Sequence, residues 1–62
     1  MLAKMYLIDY ADGLKLLGPY ETVEARRRFY WELRDAGRQV MTLDTYSDGS
    51  ADVGRHFREE ER

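Results

Sequence analysis

The single tryptophan of this chain, Trp31, lies between Arg27 and Arg34 at the spacing of neighbours on a helix. A rigid aromatic ring beside planar guanidinium groups is typical of protein-binding hot spots, because the ring offers apolar area and the guanidinium pairs with carboxylates or phosphates. At about 100° per residue, Trp31 falls opposite the apolar stripe of the predicted helix, so we expect it to point to solvent. Together with Tyr30, these residues form one candidate binding surface. The alternatives are that Trp31 covers the edge of a small core, or that the arginines merely stack on its ring by cation–π contact.

Acidic residues form a second candidate surface towards the C-terminus. Asp44, Asp48 and Asp52 precede a run of three glutamates, and the last nineteen residues hold six acidic and three basic side chains. Such a surface attracts a basic partner by electrostatic steering, although an ordinary solvated hairpin has the same composition. Calcium binding is not predicted, because Tyr46 occupies the middle acidic position of the calcium-loop pattern and Arg55 stands where its glutamate belongs.

Three consecutive arginines, at positions 26–28, raise the alternative of a nucleic-acid-binding module that uses helix arginines and aromatic residues. These arginines fan around a helix, however, and acidic residues interleave with them. The net charge of −2 and the pI near 5.3 are opposite to the charge of proteins that neutralise phosphates. Direct nucleic-acid binding is therefore the second prediction.

Catalytic residue patterns are missing from the sequence. His56 is the one histidine, and there is no Ser-His-Asp order and no phosphate-cradling glycine loop. The chain has no cysteine, so disulfides and the usual structural zinc sites of two to four Cys and His are excluded. We predict a protein that is not an enzyme and that uses no cofactor or metal.

Two strands and a helix are predicted in the first part of the chain. Alternating apolar residues indicate a strand over Lys4–Tyr10, and Asp12-Gly13 indicates a tight turn. The return strand is Leu14–Leu17, which we expect Gly18-Pro19 to end. A helix follows over Val23–Ala36, with Thr22 as N-cap and Gly37 just past its end. A narrow apolar stripe is expected to lie on the sheet, and its members are Ala25, Phe29, Leu33 and Ala36.

A third strand is predicted over Gln39–Tyr46, followed by a second Asp-Gly turn at 47–50. Alternation places Val40 and Thr42 on one face of this strand and Met41 and Leu43 on the other. Beyond it, alternation from Ala51 to Phe57 favours a fourth strand, with a short helix capped by Ser50 as the alternative. The predicted fold is α+β, in the order ββαββ, with a small antiparallel sheet and one helix on one face. Residues 1–57 form a single domain, and residues 58–62 form a charged tail.

One helix covers only one face of such a sheet. Both sides of the first strand are apolar. One side carries Tyr6, Ile8 and Tyr10, and the other carries Met5 and Leu7. A strand with one face in water should instead alternate with polar residues. A chain of 62 residues also has a thin core. We therefore expect the second face to be covered, most simply by a second copy of the chain in a homodimer.

The segment from Gly13 to Ala25, GLKLLGPYETVEA, precedes a helix with Phe29 and Leu33 and then Gly37 and a strand. This half of the chain resembles a unit shared by the hybrid-binding domain of eukaryotic ribonuclease H and by peptidoglycan-binding SPOR domains. The resemblance implies a sheet-plus-helix fold and carries little functional content. As a type, a small acidic domain without cysteine is similar to inhibitor proteins of phages and mobile elements, such as anti-CRISPR proteins.

The sequence thus predicts a small non-enzymatic protein-binding module, in type an anti-CRISPR-like inhibitor of phage or mobile-element origin. Its expected partner is a larger protein or a ribonucleoprotein complex of the host. No apolar run approaches the roughly 18 residues that span a bilayer, and the N-terminus lacks the long apolar stretch of a secretion signal. We therefore expect a cytoplasmic protein without a membrane partner.

Overall fold

A computed structural model of the chain describes residues 1–54, Phe57 and Glu60. Its four strands form one antiparallel sheet in the order β2-β1-β3-β4, with a single helix on one face. The elements are β1 Leu2–Asp9, β2 Lys15–Tyr20, α1 Val23–Asp35, β3 Val40–Tyr46 and β4 Ala51–Val53. The predicted α+β fold of order ββαββ is confirmed. The predicted tail, apart from Glu60, lies outside the described residues.

Local capping residues set both ends of α1. The Thr22 hydroxyl accepts a hydrogen bond from the N–H of Ala25 at 3.1 Å. This bond satisfies one of the backbone N–H groups of the first turn that have no acceptor within the helix. At the other end Gly37 has a φ of +83° and donates to the carbonyl of Arg34, while the next N–H donates to that of Leu33. These two bonds are those of a Schellman motif, which stops the helix where the sequence predicts.

The second strand runs further than predicted. Gly18-Pro19 does not end β2, which continues to Tyr20. Both residues stand opposite the single residue Tyr6 of β1, so the strand contains a bulge. The missing N–H of proline is tolerated because β2 lies at the edge of the sheet and pairs on one side only.

The fourth strand is confirmed but short, and the alternative helix is wrong over residues 51–53. After Val53 the chain reaches Gly54, whose φ of +92° is costly for a residue with a side chain. Val53 faces away from the helix, yet Phe57 is buried on the helix side. Gly54 still donates a hydrogen bond to the carbonyl of Thr42 at 3.1 Å, so the chain is paired with β3 up to this residue. Residues 55–56 lie outside the described residues.

The core lies between the helix and one face of the sheet. Alternation in β1 and β3 sends Leu7, Val40 and Thr42 towards the helix, and all three are almost fully buried. Three aromatic rings complete this layer. Tyr30 contacts Trp31 and Phe57 edge-on, with centroid distances of 5.1 and 4.9 Å.

The helix is turned by about one residue from the predicted orientation, so the predicted stripe is wrong except for Leu33. Tyr30 is fully buried, whereas Phe29 is 44% exposed and stacks on Tyr20 at the surface. Burying Tyr30 and Trp31 removes more apolar area from water than burying the two alanines of the predicted stripe. This rotation also brings Arg26 under the helix, where it needs an acidic partner.

Candidate protein-binding surface

Trp31 points inward, and the prediction that it faces solvent is wrong. Its side chain is 8% exposed and belongs to the core cluster. Because the helix is rotated, the alternative interpretation, in which Trp31 covers part of a small core, describes its position. Tyr30 is buried with it, so the two aromatic residues of the predicted hot spot are not available to a partner.

The two arginines of that predicted surface are engaged separately. The Arg27 guanidinium lies over the Phe57 ring, 5.4 Å from its centroid, and covers the edge of the aromatic cluster. Arg34 is exposed and donates to the Tyr30 hydroxyl at 3.4 Å. The structure therefore brings Arg27, Tyr30, Trp31 and Arg34 together as a structural cluster and not as an exposed binding patch.

The three predicted acidic residues lie on the hairpin of β3 and β4, and each contacts another side chain or the backbone of the same fold. Asp44 pairs with the buried Arg26. Asp48 accepts hydrogen bonds from the backbone and hydroxyl of Ser50, which lower the pKa of its carboxyl. Asp52 accepts from the Tyr46 hydroxyl at 2.9 Å, and this hydrogen bond raises the pKa of Tyr46. Asp48 and Asp52 remain exposed, and their role in partner binding stays a prediction.

The face of the sheet that points away from the helix is apolar; we call it the open face. It is defined by the cross-strand partners on that side of β1 to β4, which are Tyr6, Ile8, Leu16, Met41, Leu43 and Val53. The edge members Leu16 and Val53 are 57% and 63% exposed, and the four central members are half-buried by their neighbours. None of the described residues packs over this face from another element.

Strand register arranges the open face in two adjacent rows. Leu16, Ile8 and Met41 lie side by side in one row. Tyr6, Leu43 and Val53 form the next row. Cross-strand neighbours lie about 4.5–5.5 Å apart, so these side chains make a continuous apolar surface. Neither row contains a charged residue. Lys4 lies beyond the second row, where it is the cross-strand neighbour of Thr45.

The helix side of the sheet is, by contrast, rich in ion pairs. Arg26 bonds to Asp44 beneath the helix, and Arg38 bonds to Asp9 and Asp12 at the end where α1 leaves the sheet. Arg26 and Asp9 are only 4% exposed. The covered face thus holds charges, whereas the uncovered face is apolar, which is the reverse of a sheet that turns its polar face to water.

Sequence reasoning predicted two apolar faces for β1 but did not name Leu16, Leu43 or Val53 as binding residues. Alternation in β3 placed Met41 and Leu43 on one side, yet only the strand order shows that this side joins Tyr6 and Ile8. Within the described residues no helix is long and apolar enough to span a membrane, and no group of three or more His, Cys, Asp or Glu could hold a metal ion. His56 lies outside the described residues.

No protein-family model matches the chain, and neither a search of curated proteins nor one of solved structures gives a match.

Proposed function

We propose that this chain is a non-enzymatic module that binds protein through the open face of its sheet. The observation that carries the proposal is the continuous apolar surface of six residues on the side that the helix does not cover. Contiguous apolar patches of this kind mark interaction sites in soluble proteins. The matching occupant is a protein surface that is itself flat and free of charge at its centre, because burying an unpaired charge there is costly.

Nucleic-acid binding is the weaker alternative, because contacts within the fold engage three of the arginines, although Arg28 and Arg34 on the helix are exposed. Arg26 is buried in its pair with Asp44, and Arg27 is held over an aromatic ring. Arg38 contacts two carboxylates. These guanidinium groups are not free to neutralise phosphates, on which nucleic-acid affinity depends.

The proposal extends to the role of an inhibitor of phage or mobile-element type that acts in the cytoplasm on a larger host complex. A protein that blocks a complex by binding needs a surface and no catalytic group. The exposed hairpin residues Asp48 and Asp52 support such a role, because acidic side chains outside the open face can attract a basic surface of a larger partner.

Affinity capture with matched baits tests the proposed function. The bait variants are Leu16→Lys on the open face and Val23→Lys on the helix, where Val23 is 41% exposed. In a nuclease-treated lysate of the native cell, wild type and Val23→Lys should retain a protein, a second copy of the chain included, that Leu16→Lys loses. Retention by all three baits would contradict the proposal, and so would a tight mobility shift of nucleic acid by the wild type at moderate salt.

A further inference from the structure

The core on the helix side is small, and a comparable number of apolar side chains lies outside it. The buried hydrophobic residues on the helix side number five among those described, beside the buried ions Asp9 and Arg26. The open face adds six more apolar side chains that no described element covers. Domains of about 60 residues are marginal when they rely on a single core. A second contact on the open face would therefore stabilise the fold as well as mediate binding.

The side of the molecule that carries the open face is broad enough for a dimer interface. The Cα atoms extend over 34 × 26 × 16 Å, and the short dimension is that of one helix layered on one sheet. The sheet therefore occupies the broad side of a flat molecule. Contact over most of this side would bury about 600 Å² per copy, or roughly 1,200 Å² in total, which reaches the lower limit of specific interfaces and exceeds most lattice contacts.

The chemistry of the face favours a second copy of the same chain over a charged partner. In a two-fold symmetric contact each patch meets itself, so any charge near the centre would face a like charge. The two rows hold no charged residue, and Lys4 lies beyond their end. Two such faces can pack as the layers of a β-sandwich, about 10 Å apart, with their side chains interdigitated.

We infer that the open face is a homodimer interface, in which the sheets of two copies pack face to face with both helices outside. This inference rests on the proposed function, since it names the protein that the open face binds. The dimer is a four-layer assembly of helix, sheet, sheet and helix. Its outer surfaces present the acidic hairpin residues Asp48 and Asp52 twice.

The test is the solution mass of the purified chain across a range of concentrations, by sedimentation equilibrium. The wild-type mass should rise from 7.4 kDa towards twice that value. Leu16→Lys and Val53→Lys should each raise the dimer dissociation constant more than about tenfold, because a two-fold interface contains each substitution twice. Val23→Lys carries the same added charge on the helix and should dimerise like the wild type. Trp31 lies on the helix side, so its fluorescence checks the fold of each variant independently of the interface.

The inference is overturned if the wild type stays at 7.4 kDa up to about 1 mM, or if Val23→Lys weakens association as much as Leu16→Lys. Binding of the monomer to neutral lipid vesicles, with no change in its mass in solution, would also overturn it. A monomeric wild type whose capture of another protein still depends on Leu16 would refute the dimer and leave the proposed function standing. If Leu16→Lys changes neither the captured protein nor the solution mass, both the homodimer and the proposed function are refuted.

Discussion

The Arg26 guanidinium donates to the Asp44 carboxylate beneath the helix and so ties α1 to β3. It also donates to the carbonyl of Tyr6 at 3.4 Å, so one buried side chain joins the helix to both central strands. Arg26 is 4% exposed and Asp44 is 21% exposed. A buried ion pair adds little net stability over an apolar pair, yet loss of one partner leaves the other without compensation.

We therefore expect Arg26→Met to lower the free energy of unfolding by about 1–3 kcal/mol, the cost of a buried polar group left without its partner. The double variant Arg26→Met/Asp44→Leu should recover most of that loss, because neither charge remains. Urea unfolding of the wild type, the single variants Arg26→Met and Asp44→Leu, and the double variant measures the coupling. Simple additivity of the two single losses would show that the pair does not act as a unit.

Trp31 and Phe29 test the orientation of the helix. Trp31→Ala should lower the free energy of unfolding by about 3–5 kcal/mol, the range for removing a large buried aromatic side chain. Phe29→Ala removes an exposed ring that stacks on Tyr20, 5.4 Å away, and should cost less than about 1.5 kcal/mol. Circular dichroism during chemical unfolding measures both variants without relying on tryptophan fluorescence. The opposite ranking would restore the orientation expected from the apolar stripe.

Asp9 gives the fold an acid-sensitive contact. The Arg38 side chain and the N–H of Ala11 donate hydrogen bonds that hold the pKa of the Asp9 carboxyl below its usual value of 3.8, although burial opposes this shift. A lowered pKa in the folded state stabilises the protein above pH 3.8, and this contribution is lost as the pH falls through the folded-state pKa. Asp9→Asn should flatten the decline in stability below about pH 4.

The matched control for this acid dependence is Asp12→Asn, which removes an exposed carboxylate from the same arginine and keeps the Asp9 contact. Thermal melts between pH 2 and pH 7 compare the variants. An equal decline in the wild type and Asp9→Asn would assign the acid sensitivity to other carboxylates.

We expect the backbone conformation of Gly54 to influence the position of Phe57, which is buried on the helix side. Its φ of +92° suits glycine, and a Cβ there would meet no atom within 4 Å, so a substitution is opposed by conformation and not by a clash. Gly54→Ala should cost about 1–2 kcal/mol, and much less when Phe57→Ala has already removed this buried ring. Urea unfolding of the double-mutant cycle measures this dependence. If Gly54→Ala costs the same in the wild type and in Phe57→Ala, the conformation of Gly54 and the packing of Phe57 are independent.

Sequence patterns predicted the features that depend on neighbours along the chain. Thr22 and Gly37 set the helix ends by hydrogen bonds within four residues, and alternation placed Val40 and Thr42 on the same side of β3. The rotation of the helix could not be predicted in this way. It buries Arg26, whose acidic partner Asp44 lies on a strand that follows the helix in sequence.

The candidate surface also combines features that depend on neighbours along the chain with features that depend on distant contacts. Alternation predicted that β1 has two apolar sides, and the open face includes the predicted pair Tyr6 and Ile8. The predicted Trp31 surface failed because Phe57, which follows the sheet, returns to pack on Tyr30 and completes an aromatic cluster around the helix. The residue pattern of one helix cannot predict a contact that a later segment of the chain makes with it.

The strand order also constrains how the chain reaches its native state. β1 and β3 are central neighbours, although β2 and the whole helix separate them in sequence. Each hairpin alone is at best marginally stable in water. The pairing of β1 with β3 stabilises the fold only after the long segment between these two strands has closed into a loop. We expect folding to be a single cooperative step limited by the encounter of the two hairpins. Amide protons of β1 and β3 should then exchange with solvent only when the whole domain opens.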